Sequence, residues 1–157
     1  MDIIGFVRNA RERLQEVVLQ SGATAQTIAY SRAFKVAKVA LTAGVANAFA
    51  FAWQNPESNA VLVTRVIVDI TTAGGTATAV MDVGVVANAT STAADIFNDI
   101  DLNSAAISDN LLVAGTGQGG VHKLDENGGT TPYITGKILT EKAEALVGNV
   151  YIIYTEI

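Results

Sequence analysis

The first group of residues that could carry chemistry is a set of glycines. Gly115, Gly117 and Gly120 follow the apolar segment LLVA with the spacing G-x-G-x-x-G, which is typical of loops that hold the phosphates of a dinucleotide. Such a site also needs a helix that begins at the third glycine. The residues that follow are VHKLDENGG, which cannot continue a helix. The pattern therefore favours a loop between two strands over a nucleotide site.

The second group is acidic. Residues 99–103 read DIDLN and begin like an EF-hand calcium loop. Ser104 stands where that loop has its turn glycine, and Asn110 stands where it has its bidentate acid. We interpret the stretch as a solvated acidic loop. A calcium site of another kind within Asp95–Asp109 is left open.

Catalytic groups are otherwise scarce. His122 is the only histidine and the chain has no cysteine, so a zinc–thiolate site and a cysteine nucleophile are excluded. A catalytic triad cannot be assembled with any assurance around one histidine. We therefore predict no catalytic residues, no metal ligands and no cofactor, and we do not expect an enzyme.

The third group is basic and lies near the start of the chain. Residues 1–38 carry six cationic and three acidic residues, a balance of +3, whereas the remainder carries four against twelve, a balance of −8. The acidic body would repel nucleic acid, because phosphate contacts need Lys and Arg, and aromatic residues for base stacking are few. An acidic protein surface is the better partner for the basic segment.

Residues 3–20 have the period of an amphipathic helix, with apolar residues three and four apart, and Ser21-Gly22 supplies a stop. This apolar stripe could pack on the chain's own sheet or on a neighbouring subunit. The second alternative makes the basic segment a partner-binding arm. The residues predicted to bind the partner are Ile3, Val7, Arg8, Arg11, Arg13, Leu14, Val17, Arg32, Lys35 and Lys38.

From Phe34 onward the period becomes two, which indicates strands. We predict an all-β domain over residues 34–157, an antiparallel β-sandwich of jelly-roll type, preceded by a helix and extended arm over residues 1–33. A hairpin turn at Thr72–Gly75 and a short helix at Thr92–Asn98 complete the prediction. The predicted strands are Phe34–Val36 with Val39–Leu41, Asn47–Trp53, Ala60–Thr71, Thr76–Val86, Leu111–Ala114, Val121–Leu124, Tyr133–Thr140 and Asn149–Thr155.

Two apolar stretches bear on association. Residues 39–53 form the longest apolar run, shorter than the ~20 residues that a membrane-spanning helix needs, so no membrane segment is expected. The segment AVLVTRVIVDIT of residues 60–71 is apolar at both parities, which indicates self-association with closed cyclic symmetry.

Four segments carry a resemblance: residues 53–85 (WQNPESNAVLVTRVIVDITTAGGTATAVMDVGV), residues 90–103 (TSTAADIFNDIDLN), the glycine-rich loop and the terminal GNVYIIYTEI. Together they resemble small virion proteins of tailed bacteriophages, such as capsid decoration, cement or head-fibre proteins. The resemblance implies a non-enzymatic protein that binds the outer surface of a capsid lattice and reinforces it. It also implies a place on the capsid exterior and partners among the major capsid protein or other virion subunits. A homo-oligomer is expected, with a trimer favoured.

Two other classes stay open at this point. A tail, fibre or secreted carbohydrate-binding sandwich would need an exposed aromatic platform or a calcium site, and Trp53 is the only tryptophan. An enzyme on a jelly roll, such as a cupin, would need clustered histidine and carboxylate ligands, which a single histidine argues against.

Overall fold

A computed structural model describes residues 34–112 and 120–157 as two antiparallel β-sheets. The helix and arm predicted for residues 1–33 lie outside the described residues. No α-helix occurs among the described residues, so none of them can form a helix that crosses a bilayer. The nine strands of the described part are β1 (Lys35–Ala40), β2 (Phe49–Gln54), β3 (Val61–Thr72), β4 (Val80–Val86), β5 (Phe97–Asp101), β6 (Ala106–Asp109), β7 (His122–Leu124), β8 (Tyr133–Ile138) and β9 (Val147–Glu156).

The order of the strands is that of a jelly roll. One sheet runs β1-β9-β3-β6, with the short β7 pairing β3 on the same edge as β6, and the other runs β2-β8-β4-β5. Strands β1 to β4 alternate between the two sheets, and β8 and β9 return to fill the gaps in each. This interleaving is the double Greek key of the jelly roll. The predicted antiparallel β-sandwich is therefore confirmed.

The core lies between the inward faces of the two sheets and follows from the alternation within each strand. On β3, Val66 and Val68 are fully buried, and on β9 so is Ile152. Burial of an aliphatic side chain of this size contributes roughly 1.5–3 kcal/mol. The largest fully buried side chains are Phe97, Met81, Ile96, Ile100, Leu102, Leu124, Ile134, Ile138 and Ile152.

The turn that follows β2 is organised by a buried asparagine. The side-chain amide of Asn55 donates to the carbonyl oxygens of Asn59 and Asp125, both at 2.9 Å, and its Oδ1 accepts from the backbone N–H of Glu57 at 3.0 Å. Because all these groups are paired, Asn55 is stable at 0% exposure.

The hairpin predicted at Thr72–Gly75 is wrong, because β3 and β4 belong to different sheets. The chain crosses between the sheets here, and the N–H groups of Gly74 and Gly75 both donate to the carbonyl oxygen of Leu102, at 3.2 and 3.0 Å. A Cβ atom at Gly74 would overlap the backbone of Leu146. These glycines therefore allow the chain to pass close to the backbones of Leu102 and Leu146 where it crosses between the sheets. Strand β4 begins only at Val80, later than predicted.

The short helix predicted at Thr92–Asn98 is also wrong. Phe97 pairs with Val83 in the sheet, and Ile96 donates its N–H to the carbonyl oxygen of Val83 at 3.0 Å. The side chain of Asp95 accepts from the N–H of Val85 at 2.9 Å. Ile96, in a bend, and Phe97, the first residue of β5, are both fully buried, and this burial outweighs the local helical propensity.

The strand predicted at Leu111–Ala114 is not formed in its described part. Leu111 and Leu112 lie in an exposed turn, and residues 113–119 fall outside the described residues. The strand that forms in this region is β6, which pairs with one edge of β3. No alternation in the sequence indicated it. Asn110 ends it, and its side-chain Oδ1 accepts from the N–H of Val66 at 2.9 Å.

Candidate interaction surface

Only two of the residues predicted to bind a partner fall within the described part of the chain. They are Lys35 and Lys38, both on the edge strand β1. The others lie outside the described residues and stay a prediction: Ile3, Val7, Arg8, Arg11, Arg13, Leu14, Val17 and Arg32.

Lys35 is held by acids of its own chain. Its Nζ lies 2.7 Å from Oε1 of Glu57 and 2.5 Å from Oε1 of Glu156, while the hydroxyl of Tyr154 donates to Glu57 at 3.1 Å. The hydrogen bonds to Glu156 and Glu57 raise the pKa of Lys35, and the Lys35 ammonium lowers the pKa of Glu156. The cluster therefore holds Lys35, the first residue of β1, to two acids of the sandwich.

The side of the β1-β9-β3-β6 sheet that faces away from the core is apolar across its middle. Val36 lies beside Ile153, and Tyr151 lies between Lys38 and Ile67 on neighbouring strands. Residues that pair directly in this way share one face of the sheet. We call this surface the outward sheet face and define it by Val36, Lys38, Leu62, Arg65, Ile67, Asp69, Ile107, Asp109, Asn149, Tyr151, Ile153 and Thr155.

Much of the apolar surface of this face is open to solvent. Val36 is 63% exposed and Ile107 is 68% exposed, at opposite edges of the sheet. Between them, the side chains of Tyr151, Ile153 and Ile67 are half-buried. The same face also carries Lys38, Arg65, Asp69, Asp109 and Asn149, so it is a mixed surface whose most exposed apolar side chains, Val36 and Ile107, lie at its two edges.

The charged groups of the outward sheet face lie around its apolar middle. The guanidinium of Arg65 donates through Nε at 2.9 Å and through Nη2 to one oxygen of Asp109, and this pairing lowers the pKa of the buried Asp109. The ammonium of Lys38 stands 5.7 Å from the centroid of the Tyr151 ring. Asp69 makes no ion pair with any residue of the described part.

The acidic stretch left open as a calcium site is spread over separate turns. Asp95 accepts from the N–H of Val85, Asp101 accepts from the N–H of Asn103 at 2.8 Å, and Asp109 binds a guanidinium. No group of three or more histidine or acidic residues is close enough to hold a metal ion within the described residues. The described geometry therefore offers carboxylates that stabilise turns.

His122 lies on β7 and touches one acid. Its Nδ1 is 3.7 Å from Oδ2 of Asp95, beyond hydrogen-bond distance, and its buried Nε2 has no partner in the described part of the chain.

The residues that precede β7 bear on the glycine motif. Gly120, at φ +89°, leads through Val121 into strand β7, so no helix follows the third glycine. Gly115 and Gly117 lie outside the described residues.

Trp53 serves packing and is not a free aromatic platform. Its ring is half-buried on β2, with its centroid 5.1 Å from that of Tyr154 and a tilt of 53° between the rings. A carbohydrate-binding surface needs a flat ring open to solvent, which this arrangement does not provide.

Part of the outward sheet face could be predicted from the sequence. The two-sided apolar segment of β3 was predicted to associate, but Tyr151 and Ile153 on β9 and Ile107 on β6 were not singled out. The clue to β9 was available in VYIIY, where residues of both parities are apolar or aromatic. Ile107 could not be found, because β6 carries no periodic pattern.

The similarities of this chain to known proteins are similarities to solved structures. No family model and no curated protein matches this chain. The capsid asymmetric unit of cyanophage Pam1 is 18% identical, with 82% of this chain and 88% of that chain covered and a TM-score of 0.40. The acid-stable capsid of Helicobacter pylori bacteriophage KHP30 is 17% identical, with coverages of 79% and 86% and a TM-score of 0.41. The disulfide-linked pili of Bacillus endospore appendages are 12% identical, with coverages of 80% and 88% and a TM-score of 0.31. These TM-scores are all below 0.5, so the function of this chain is not inferred from these structures. The strand order of the chain itself identifies the jelly roll.

Proposed function

We propose that this chain is a non-enzymatic virion structural protein that binds the outside of a bacteriophage capsid lattice and reinforces it. The observation that carries the proposal is the group of exposed apolar side chains on the outward sheet face of a jelly roll. A rigid sandwich with an uncovered apolar face is suited to permanent contact with other subunits. Many copies of one modest interface bind a repeating lattice with high avidity.

Jelly rolls occur in capsid proteins, lectins and cupins, so the fold alone leaves these classes open. A cupin needs several histidine and carboxylate ligands in one place, and His122 is the only histidine. A lectin site built on aromatic residues would need an exposed ring, whereas Trp53 packs against Tyr154. These observations favour the capsid role over the other two.

The attachment to the lattice is proposed to lie in residues 1–38. This segment carries a charge balance of +3 against −8 for the rest of the chain, so it is suited to an acidic surface on a neighbouring subunit. The ion pairs of Lys35 with Glu57 and Glu156 hold the base of the segment to the sandwich. A mechanical force on this segment would therefore act on strands β1 and β9.

Fractionation of the native source tests this function. The protein should sediment with large icosahedral particles and stay bound through repeated sedimentation. The variant His122→Ala should bind these particles as the wild type does, because the histidine has no part in attachment. Recovery of the protein only as a free oligomer would contradict the proposal, and loss of particle binding in a folded His122→Ala variant would contradict the exclusion of this histidine from attachment.

A further inference from the structure

Strand β1 is packed less tightly than the other strands of the sandwich. Of the nine strands in the described part of the chain, it alone has no buried residue, since exposed and half-buried residues alternate along it. It also lies at the edge of its sheet, where it pairs with β9. Elements with few buried apolar contacts and solvent-exposed backbone hydrogen bonds open at a low free energy. Strand β1 is therefore the strand that we expect to open most easily.

The first buried residue after Phe34 is Leu41, directly after β1. Leu41 is 8% exposed, and its N–H donates to the carbonyl oxygen of Gly148 at 2.9 Å. The N–H of Thr42 donates to the carbonyl oxygen of Ala50 on β2 at 2.7 Å. An opening of β1 would therefore end at Leu41 and leave the rest of the sandwich in place.

A cluster of polar side chains opposes this opening at the start of β1. The ammonium of Lys35 lies 2.7 Å from the carboxylate of Glu57 and 2.5 Å from that of Glu156, and both carboxylates are mostly buried. Glu57 also accepts from the hydroxyl of Tyr154 at 3.1 Å, and Glu156 accepts from the side-chain amide of Asn59 at 3.3 Å. We call these five residues the Lys35 cluster.

The arrangement of the Lys35 cluster makes it more than an isolated surface ion pair. A single exposed pair contributes little, whereas several charges held in one network contribute more. Here one ammonium is shared by two carboxylates, each of which is oriented by a further hydrogen bond. Opening of β1 would break both ion pairs and leave the two carboxylates without their shared cation.

We propose that β1 opens from β9 as a unit that ends at Leu41, while the rest of the sandwich stays folded, and that the Lys35 cluster controls the population of this opened state. The opened state presents unpaired backbone groups of β9 along the edge of the sheet. Such an edge is a template for pairing with another strand, so the cluster keeps it covered. The inference is independent of the proposed function, because it rests only on contacts within the sandwich.

Hydrogen exchange followed by mass spectrometry tests the local opening in the full-length protein. The backbone amides of β1 should exchange faster than those of β3, and low concentrations of urea should accelerate β3 exchange much more than β1 exchange. A local opening exposes little surface, whereas exchange in the centre of a sheet requires wider unfolding. Equal rates with equal urea dependence would show that β1 opens only with the whole sandwich and would overturn the proposal.

A substitution far from β1 separates local from global opening. Ile100 is buried on β5 in the other sheet, so its contacts persist when β1 alone opens. Ile100→Val should accelerate β3 exchange by roughly two- to tenfold, the usual effect of removing one buried methyl group, and should leave β1 exchange unchanged. Equal acceleration of both strands would overturn the proposal.

The role of the cluster is tested with Lys35→Ala, and Lys38→Ala is the matched control. Both variants remove one lysine from β1, but Lys38 makes no ion pair in the described part of the chain. Lys35→Ala should accelerate β1 exchange by roughly two- to tenfold, Lys38→Ala should change it less, and Lys35→Arg, which keeps the charge, should restore most of the protection. Equal acceleration by the two alanine variants, or no protection of β1 in the wild type, would overturn the proposal.

Discussion

Asp109 carries a buried charge at the margin of the outward sheet face. The guanidinium of Arg65 and the backbone N–H of Leu111 bind its carboxylate, and both lower its pKa. A carboxylate with a lowered folded-state pKa stabilises the fold above its unfolded pKa of about 3.9. That contribution is lost as the pH falls through the lower folded-state pKa.

We predict that Asp109→Asn lowers the Tm near neutral pH and that the deficit shrinks in acid. Below the folded-state pKa the wild-type side chain is neutral as well, so the two proteins converge. Thermal unfolding followed across the pH range measures this. Glu126→Gln, at an exposed position, is the matched control and should change the Tm little. A deficit of constant size from neutral to acidic pH would contradict the assignment.

Gly136 shows that core packing can also require the absence of a side chain. A Cβ atom on this β8 residue would lie 2.6 Å from Cδ1 of Phe51 and 2.9 Å from Sδ of Met81. Phe51 on β2 and Met81 on β4 belong to the same sheet as Gly136, so the side chains of the two neighbouring strands fill the space over the backbone of β8 at this point.

The variant Gly136→Ala should lower the free energy of unfolding by about 1–3 kcal/mol, the usual cost of overpacking. In a Phe51→Leu background the same substitution should cost less, because the ring that it meets is gone. Urea denaturation of the two single variants and the double variant measures the coupling. Additive costs would show that Phe51 is not the obstacle.

At the scale of the strands, the sequence predicted those elements whose alternation and packing agree. The segments of β3 and β9 alternate and are β-branched, so both were predicted close to their observed bounds. The helix at Thr92–Asn98 and the hairpin at Thr72–Gly75 were predicted from local signals of caps and turns. Both failed because contacts with other strands determine the conformation of these segments: Phe97 pairs with Val83 of β4, and Gly74 and Gly75 donate to the carbonyl oxygen of Leu102.

The candidate surface was only partly predictable for a related reason. Periodicity identified β3 as apolar on both faces, but the sequence cannot say which strands lie beside it. Only the order β1-β9-β3-β6 places Val36, Ile153 and Ile107 on one surface. Lys35 was predicted to bind a partner from its charge alone, and its ion pairs with distant acids were not visible in the sequence.

The two faces of β9 give an element-scale prediction. Ile152 is fully buried and Ile153, its neighbour, faces outward. We expect Ile152→Ala to lower the free energy of unfolding by about 2–5 kcal/mol. We expect Ile153→Ser to leave the urea midpoint nearly unchanged and to shift sedimentation velocity toward smaller species. Loss of stability without loss of association in Ile153→Ser would contradict the role of the outward sheet face.

At the scale of the whole molecule, two properties belong together. The jelly roll buries its core between two sheets and leaves an apolar surface on the outside of one of them. The segment before Phe34 has a predicted apolar stripe and a basic polar side. In the proposed role this surface would be covered by association, and binding of the folded chain alone would add to its stability.

Particle binding by the intact and shortened chains tests this account most directly. Recombinant full-length protein and a variant without residues 1–20 are added separately to particles stripped of the native protein, and the bound fraction is measured by sedimentation. The full-length chain should bind to saturation, and the shortened chain, with its sandwich intact by circular dichroism, should lose most of that binding. Equal binding of both chains, or binding of neither, would contradict the account.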